Sequence, residues 1–305
     1  MSGKPDLSVL FIFVDGVGLG NENDANPFFS ARIPVLKKLL NGAPSLNDPV
    51  IKNSDAMLLP LNATLGIAGL PQSGTGQATL MTGVNCPQLN GAHFGPYPPA
   101  LAREVLKEKN IFRVCQDELL AIDFVNGYPQ RYFDYLDERP LMRPAIASSF
   151  LSTGRALHRV EEIKDGIALS ADITGERWYQ FGFNDVPALT PHEAGKRLVA
   201  IAGAHAFTMF EYFATDKAGH KQDMKEACIA LERLDGMLGG VLEDFDHEHM
   251  LLVLTSDHGN MEDLSANTHT LNPVPLLVIG NARDAFSGAR ALTDVAPPII
   301  SLLTS

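Results

Sequence analysis

The sequence predicts an α/β protein: a doubly wound, mostly parallel sheet sandwiched by helices, with a smaller α+β cap domain inserted. Three observations carry this expectation. Four short runs are almost continuously apolar: SVLFIFV at 8–14, FTMFEYF at 207–213, MLLVL at 250–254 and PLLVIG at 275–280. Strands covered by helices on both faces read this way, whereas strands with one wet face alternate. Helical stretches separate the runs. Thr190-Pro191-His192-Glu193 opens one with a capping Thr, a first-turn Pro and a Glu at the reciprocal capping position. Finally, the texture changes between about 87 and 189, where Pro, Tyr and Arg are frequent and the apolar pattern is shorter and less regular. The expected organisation is a core made of 1–86 and 190–305, with 87–189 as the inserted cap.

The remaining elements follow in order. Residues 34–40 read as a helix and 41–60 as a polar loop. A helix starts near Gly76 after a run of small residues, 221–245 is a long helical stretch, and 292–303 is a helix interrupted at Pro297-Pro298.

Composition narrows the function. The 305 residues are 45% hydrophobic and 20% charged, as in an ordinary globular protein. A formal net charge of −12 argues against nucleic acid or an anionic membrane as the main partner. Phosphate esters remain open, provided that metal ions reverse the sign locally. The three cysteines, Cys86, Cys115 and Cys228, are widely spaced and suggest neither a disulfide framework nor a thiolate cluster. A reducing cytoplasm is the expected location. The first residues lack the pattern of a signal peptide, and Val9 to Val14 is too short to span a bilayer.

Chemistry collects where the strands end. In open α/β sheets, ligand groups gather just past the carboxyl ends of strands. Asp15 follows the first run, Asp216 and His220 follow the second, and Asp257-His258 follows the third, with His269 shortly after. The four-residue spacing of Asp216 and His220 puts both on one face of a helix. Each residue alone also has a structural reading: Asp15 could cap a turn, and Asp257-His258 could be a capping pair. Ser73 and Thr75 both lie where a helix N-terminus would offer N–H groups to an anion, although a plain N-cap is the commoner use. Carboxylate and imidazole together suit manganese or zinc. The count divides into two sites, one from Asp216, His220 and His269, the other from Asp15, Asp257, His258 and the Ser73 oxygen. Two ions about 4 Å apart can clamp a transferring phosphoryl group.

At this point the sequence resembles the alkaline phosphatase superfamily of metalloenzymes. The branch of cofactor-independent phosphoglycerate mutase and phosphopentomutase is the most similar. The matching pieces, in order, are FVDGVGLG at 13–20, SGTGQ at 73–77, DKAGH at 216–220, SDHGN at 256–260, THTLNPVP at 268–275 and LTDVAPPII at 292–300. The resemblance covers about 1–86 and 190–305. It implies a doubly wound core, two divalent metal ions with manganese favoured over zinc, and a phosphorylated Ser73. Ser73 keeps the family's spacing of three residues before Gly76, which favours it over Thr75. Gln77 stands where the mutases often carry histidine, and the insertion is much shorter than in bacterial-type mutases.

The expected function is therefore phosphoryl transfer on a small phosphorylated substrate. Hydrolysis is preferred to a mutase or a phosphodiesterase, and a non-catalytic relative is the least favoured reading. Arg139, Arg143, Arg155, Arg159 and Arg177 could line a basic pocket in the cap. His93, just beyond the nucleophile helix, could contact substrate, act as acid-base or be structural.

Overall fold

The computed structural model describes residues 6–305. Ten strands form two sheets. The larger contains β1 (Ser8–Val14), β2 (Ile51–Lys52), β3 (Met57–Leu61), β4 (Ile122–Phe124), β8 (Phe207–Tyr212), β9 (Met250–Thr255) and β10 (Val274–Ile279), in the order β2-β3-β10-β9-β1-β8-β4. The smaller is β6-β5-β7, from β5 (Asn126–Tyr128), β6 (His158–Arg159) and β7 (Leu169–Ser170). In the large sheet β4, β8, β1 and β9 are mutually parallel, while β10 runs antiparallel to β9 and to β3.

The strand β1 shows why the apolar runs are continuous. Val9, Phe11 and Phe13 enter one core cluster, and Leu10, Ile12 and Val14 enter the other, because successive side chains point to opposite faces. The helices Ser73–Thr82, Ala100–Glu108, Ile111–Asp117, Ala145–Leu151 and Ala296–Thr304 contribute to the first cluster. The helices Pro34–Leu40, Pro191–Ala202 and Met224–Glu243 contribute to the second. No helix of the described residues is long and apolar enough to cross a membrane.

A buried carboxylate ties two of these helices together. Ile33 offers no side-chain cap to the Pro34–Leu40 helix. Asp235, 2% exposed on Met224–Glu243, instead accepts the N–H groups of Val35 (3.1 Å) and Leu36 (2.7 Å). Asp235→Ala should leave those donors without partners and lower stability by about 1–3 kcal/mol. Urea denaturation measures this, with the slope unchanged and the midpoint lowered.

Several expectations are corrected. Residues 41–60 are not simply a polar loop: they hold β2 and most of β3, which lies between β2 and β10. Pro60 disguised it, since proline cannot donate to a ladder. It is tolerated because Pro60 faces Pro275 on one side, while β2 reaches only Met57 and Leu58 on the other. The helix expected to start near Gly76 begins at Ser73. Pro297 and Pro298 lie in the first turn of the last helix, which starts at Ala296, and do not interrupt it, as befits residues without an N–H to satisfy.

Parts of 87–189 belong to the main sheet and its core. The helices at 100–117 pack in the main core, and β4 extends the main sheet at its edge. Three residues of strand are too few for a periodicity to be read. Beyond them lies the small sheet, with its own cluster of Val160, Ile163, Ala168, Trp178 and Val186. Asn126 joins the two sheets: its side chain donates to the Glu211 carbonyl and accepts from the Glu211 N–H, both at 2.8 Å.

Candidate metal centre

Because β1, β8 and β9 are parallel, their carboxyl ends lie along one edge of the sheet. Asp15 follows β1, and its N–H donates to the Tyr212 carbonyl at the end of β8 (2.9 Å). Gly16 has φ 66°, and a Cβ there would run into the Asp216 carboxylate, so the approach of the two elements requires glycine. Asp216 and His220 lie on the helix Ala214–Lys221, with Asp216 Oδ2 3.4 Å from His220 Nε2. Asp257 and His258 follow β9 and are fully buried. His269 comes from the segment that bridges to Gly259 through Thr270. Ser73 Oγ is 3.0 Å from His258 Nε2.

The three histidines share one arrangement. Nδ1 of His269 faces the Pro71 carbonyl at 2.7 Å, Nδ1 of His220 faces the Asn267 carbonyl at 3.3 Å, and Nδ1 of His258 faces the Gly259 carbonyl at 3.3 Å. A carbonyl only accepts, so each Nδ1 carries the proton, and in the neutral tautomer this selects each Nε2 presents its lone pair. Those lone pairs converge. Nε2 of His269 is 3.2 Å from Nε2 of His220 and 3.9 Å from Asp216 Oδ1, while Nε2 of His258 is 3.4 Å from Asp15 Oδ1. Two lone pairs that close repel unless a cation lies between them. Histidines held by backbone carbonyls through Nδ1 are oriented as metal ligands are.

The carboxylates require positive charge as well. Burial, then the charges of Asp257, Asp216 and Glu211, push the Asp15 carboxyl well above its usual range, and Asp15 Oδ1 accepts no hydrogen bond among the described residues. Two groups of ligand atoms lie mutually within 4.8 Å: Asp216, His220 and His269, and Asp15, Asp216 and His258. The first is the trio grouped from the sequence. The second differs, since Asp216 reaches it too and Asp257 stands beside it, its Oδ2 3.7 Å from His258 Nε2. Orphaned acceptors, converging lone pairs and the absence of any cysteine from these groups fit hard or borderline divalent cations.

Other expected residues are placed as follows. Thr75 is buried on the far side of its turn, where its hydroxyl lies 3.3 Å from the Gln72 carbonyl and accepts the Phe94 N–H at 3.2 Å. The Thr75 N–H donates to the Phe94 carbonyl and that of Gly76 to the Gln72 carbonyl, so the N–H groups left for an anion are those of Ser73 and Gly74. His93 directs Nε2 to the Thr64 carbonyl at 3.1 Å, which fixes the loop at 64.

Supporting residues had escaped assignment. Gln77 donates to Asp257 Oδ2 (3.3 Å) and Asn260 to Asp216 Oδ1 (2.6 Å). Glu262, fully buried, accepts the N–H groups of Gly18 and Asn260, both at 2.8 Å, and so joins the loop after β1 to that after β9. Gln77 and Asn260 lie inside the quoted motifs, so their signal was present. Glu211 had only one signal, an acid within an otherwise apolar strand.

Burial, followed by the charge of Asp257, pushes the Glu211 carboxyl up to about 7. In the unfolded chain the same group ionises near its usual value, about 4.3. Between those values the unfolded state binds fewer protons than the folded one. Stability of metal-free protein should therefore fall as pH rises from about 4.5 through 7, and Glu211→Gln should flatten that part of the profile. Thermal unfolding across this range checks it.

Comparison with known proteins agrees with the geometry. Residues 188–305 match the family described as the metalloenzyme superfamily. The 2,3-bisphosphoglycerate-independent phosphoglycerate mutase of Cereibacter sphaeroides is 30% identical over 125 residues, 38% of this chain and 25% of the relative. That of Desulforudis audaxviator is 33% identical over 126 residues, 38% of this chain and 24% of the relative. The matches thus span about a quarter of these curated relatives. Among solved structures, a cold-active alkaline phosphatase from Shewanella sp. has a TM-score of 0.56 at 14% identity, covering 98% of this chain and 100% of its own. The phosphoglycerate mutase of Leishmania mexicana has a TM-score of 0.51 at 12% identity, covering 100% and 96%. The region matching the family carries Asp216, His220, Asp257, His258 and His269. Residues 188–305 are thus similar to the metalloenzyme superfamily, and the fold of the chain is alkaline-phosphatase-like.

Proposed function

We propose that the protein transfers phosphoryl groups from a small phosphate ester through a phosphorylated Ser73, and that water is the final acceptor. The observation that carries this reading is the Ser73 hydroxyl, 3.0 Å from His258 Nε2 beside the two groups of ligand atoms. Asp15, Asp216, Asp257, His220, His258 and His269 would hold two divalent ions, manganese in preference to zinc. Those ions would supply the charge that makes the serine oxygen nucleophilic at neutral pH and offsets the phosphoryl oxygens.

The protein's own groups do the rest. Ser73 is the first residue of its helix, and its N–H and that of Gly74 point out of the helix start toward incoming anionic oxygens. Gly74 is needed because a Cβ there would run into the Tyr97 carbonyl. Gln77 and Asn260 hold Asp257 and Asp216 in orientation. The small sheet and the cluster around Trp178 would cover this edge and exclude water.

The test is reconstitution with manganese or zinc, followed by assay of 4-nitrophenyl phosphate, its bis-ester, and 2- and 3-phosphoglycerate. The expected result is inorganic phosphate released from the monoester, with the bis-ester much slower. Protein holding two ions that turns over none of these would overturn the proposal. A mutase is the second reading, favoured by the similarity to phosphoglycerate mutases. It would show as interconversion of the phosphoglycerates without phosphate release.

A further inference from the structure

A cavity of about 460 Å³ lies between the small sheet and the end of β8. Its size is that of a site for a whole small organic molecule. Phe213 and Lys217 belong to its lining and flank Asp216 in sequence, so the cavity adjoins the metal centre.

Its walls are of two kinds. Tyr128 and Tyr132 lie parallel, with ring centroids 4.2 Å apart and planes 14° apart. Trp178 and Phe181 face the same space. The cations of the lining are stacked on rings: the Arg131 guanidinium sits 3.5 Å from the Phe181 centroid, and Lys217 Nζ 4.1 Å from that of Phe213. Arg177 lines the cavity too. Asp172, also at the wall, is already committed, accepting the N–H groups of Gly175 (3.0 Å) and Arg177 (2.9 Å). In a chain of net charge −12, this lining gathers three cations, Arg131, Arg177 and Lys217, against two carboxylates, Asp172 and Glu211, the latter pushed up to about 7 by burial.

We propose that this cavity holds the alcohol part of the substrate, and that this part is a planar aromatic or heteroaromatic ring. The proposal rests on the phosphoryl-transfer reading above. A flat ring is recognised by the faces and edges of tyrosine, tryptophan and phenylalanine and by a guanidinium over its face. A short polyhydroxylated chain such as glycerate would leave most of this apolar wall uncovered and lose hydration in exchange for few hydrogen bonds. The arginines and Lys217 would draw in the doubly charged ester and orient its phosphoryl end toward Ser73.

Trp178 is the only tryptophan of the chain, so its fluorescence reports on this cavity. The probes are phenylphosphonate and methylphosphonate, neither of which can be hydrolysed, titrated into zinc-loaded protein with calorimetry and Trp178 emission as readouts. Phenylphosphonate is expected to bind at least tenfold more tightly and to change the emission. Phenyl phosphate should likewise exceed glycerol 2-phosphate at least tenfold in kcat/KM. Phe181 is 40% exposed, so Phe181→Ala should fold, and Arg131→Ala provides a second variant. Each should reduce the ratio of kcat/KM for phenyl phosphate to that for glycerol 2-phosphate at least fivefold. Equal binding of the two phosphonates, or a preference that survives both variants, overturns the proposal. Selective phenylphosphonate binding that changes Trp178 emission, in protein that hydrolyses no ester, upholds the cavity assignment and refutes hydrolysis instead.

Discussion

Ser73→Ala should reduce turnover of a phosphate monoester by about three orders of magnitude or more, while metal content stays near that of the unaltered protein. Three conditions meet at this oxygen. It lies 3.0 Å from His258 Nε2, so it shares the space of the ligand atoms. It begins a helix whose first two N–H groups, those of Ser73 and Gly74, have no acceptor among the described residues. It is also only partly buried, so an ester can reach it. Thr75 satisfies none of these as well. Its hydroxyl is enclosed between the turn at Gln72 and the backbone of Phe94, and its N–H is already bonded. Thr75→Ala should therefore cost about 1–2 kcal/mol of stability by freeing the Phe94 N–H, and lower kcat by less than tenfold. Trapping the intermediate with a slow substrate and mapping the phosphopeptide distinguishes the two. Phosphate on Thr75, or full activity of Ser73→Ala, means that the nucleophile lies elsewhere.

The parts of this site that could be read from the sequence are those tied to local pattern. A strand buried on both faces is continuous in sequence, and the next residue lies at the sheet's edge by necessity, so Asp15, Asp216 and Asp257 could be placed from where apolar runs stop. What depends on distant contacts was hidden. Pro60 concealed β3, because its fitness for the sheet depends on where β2 ends and on Pro275 opposite. β4 was too short for any period to appear, and its membership depends on Phe207 to Met209 alongside. The division of Asp216 between two groups could not be read either: spacing places it with His220, but only the Asp15 turn, closed over it at Gly16, brings it near His258. The cap arginines show the same limit. Of the five considered, only Arg177 lines the large cavity, and Arg131 joins it through a ring contact with Phe181 that no spacing encodes.

Asp216 is consequently the residue whose loss should empty both metal sites. Among the described residues it is the one that both groups share, whereas His220 and His269 belong to one and Asp15 and His258 to the other. Protein reconstituted with manganese should hold about two ions; His220→Ala and Asp15→Ala should each retain about one, and Asp216→Ala well under one. Elemental analysis measures this directly. Thermal unfolding gives a second readout free of activity, since a bound ion stabilises only the folded state, and the increase in Tm on adding metal should vanish in Asp216→Ala. The sign without metal is opposite. Asp216 is one of the charges that, after burial and Asp257, push Asp15 upward, so it repels its neighbours when no cation is present. Removing it should leave metal-free protein at least as stable as before, which separates lost binding from a damaged fold. Asp216→Ala that retains about two ions would show that the carboxylate bridges nothing. His220→Ala that loses both would show that the two groups bind as one cooperative site.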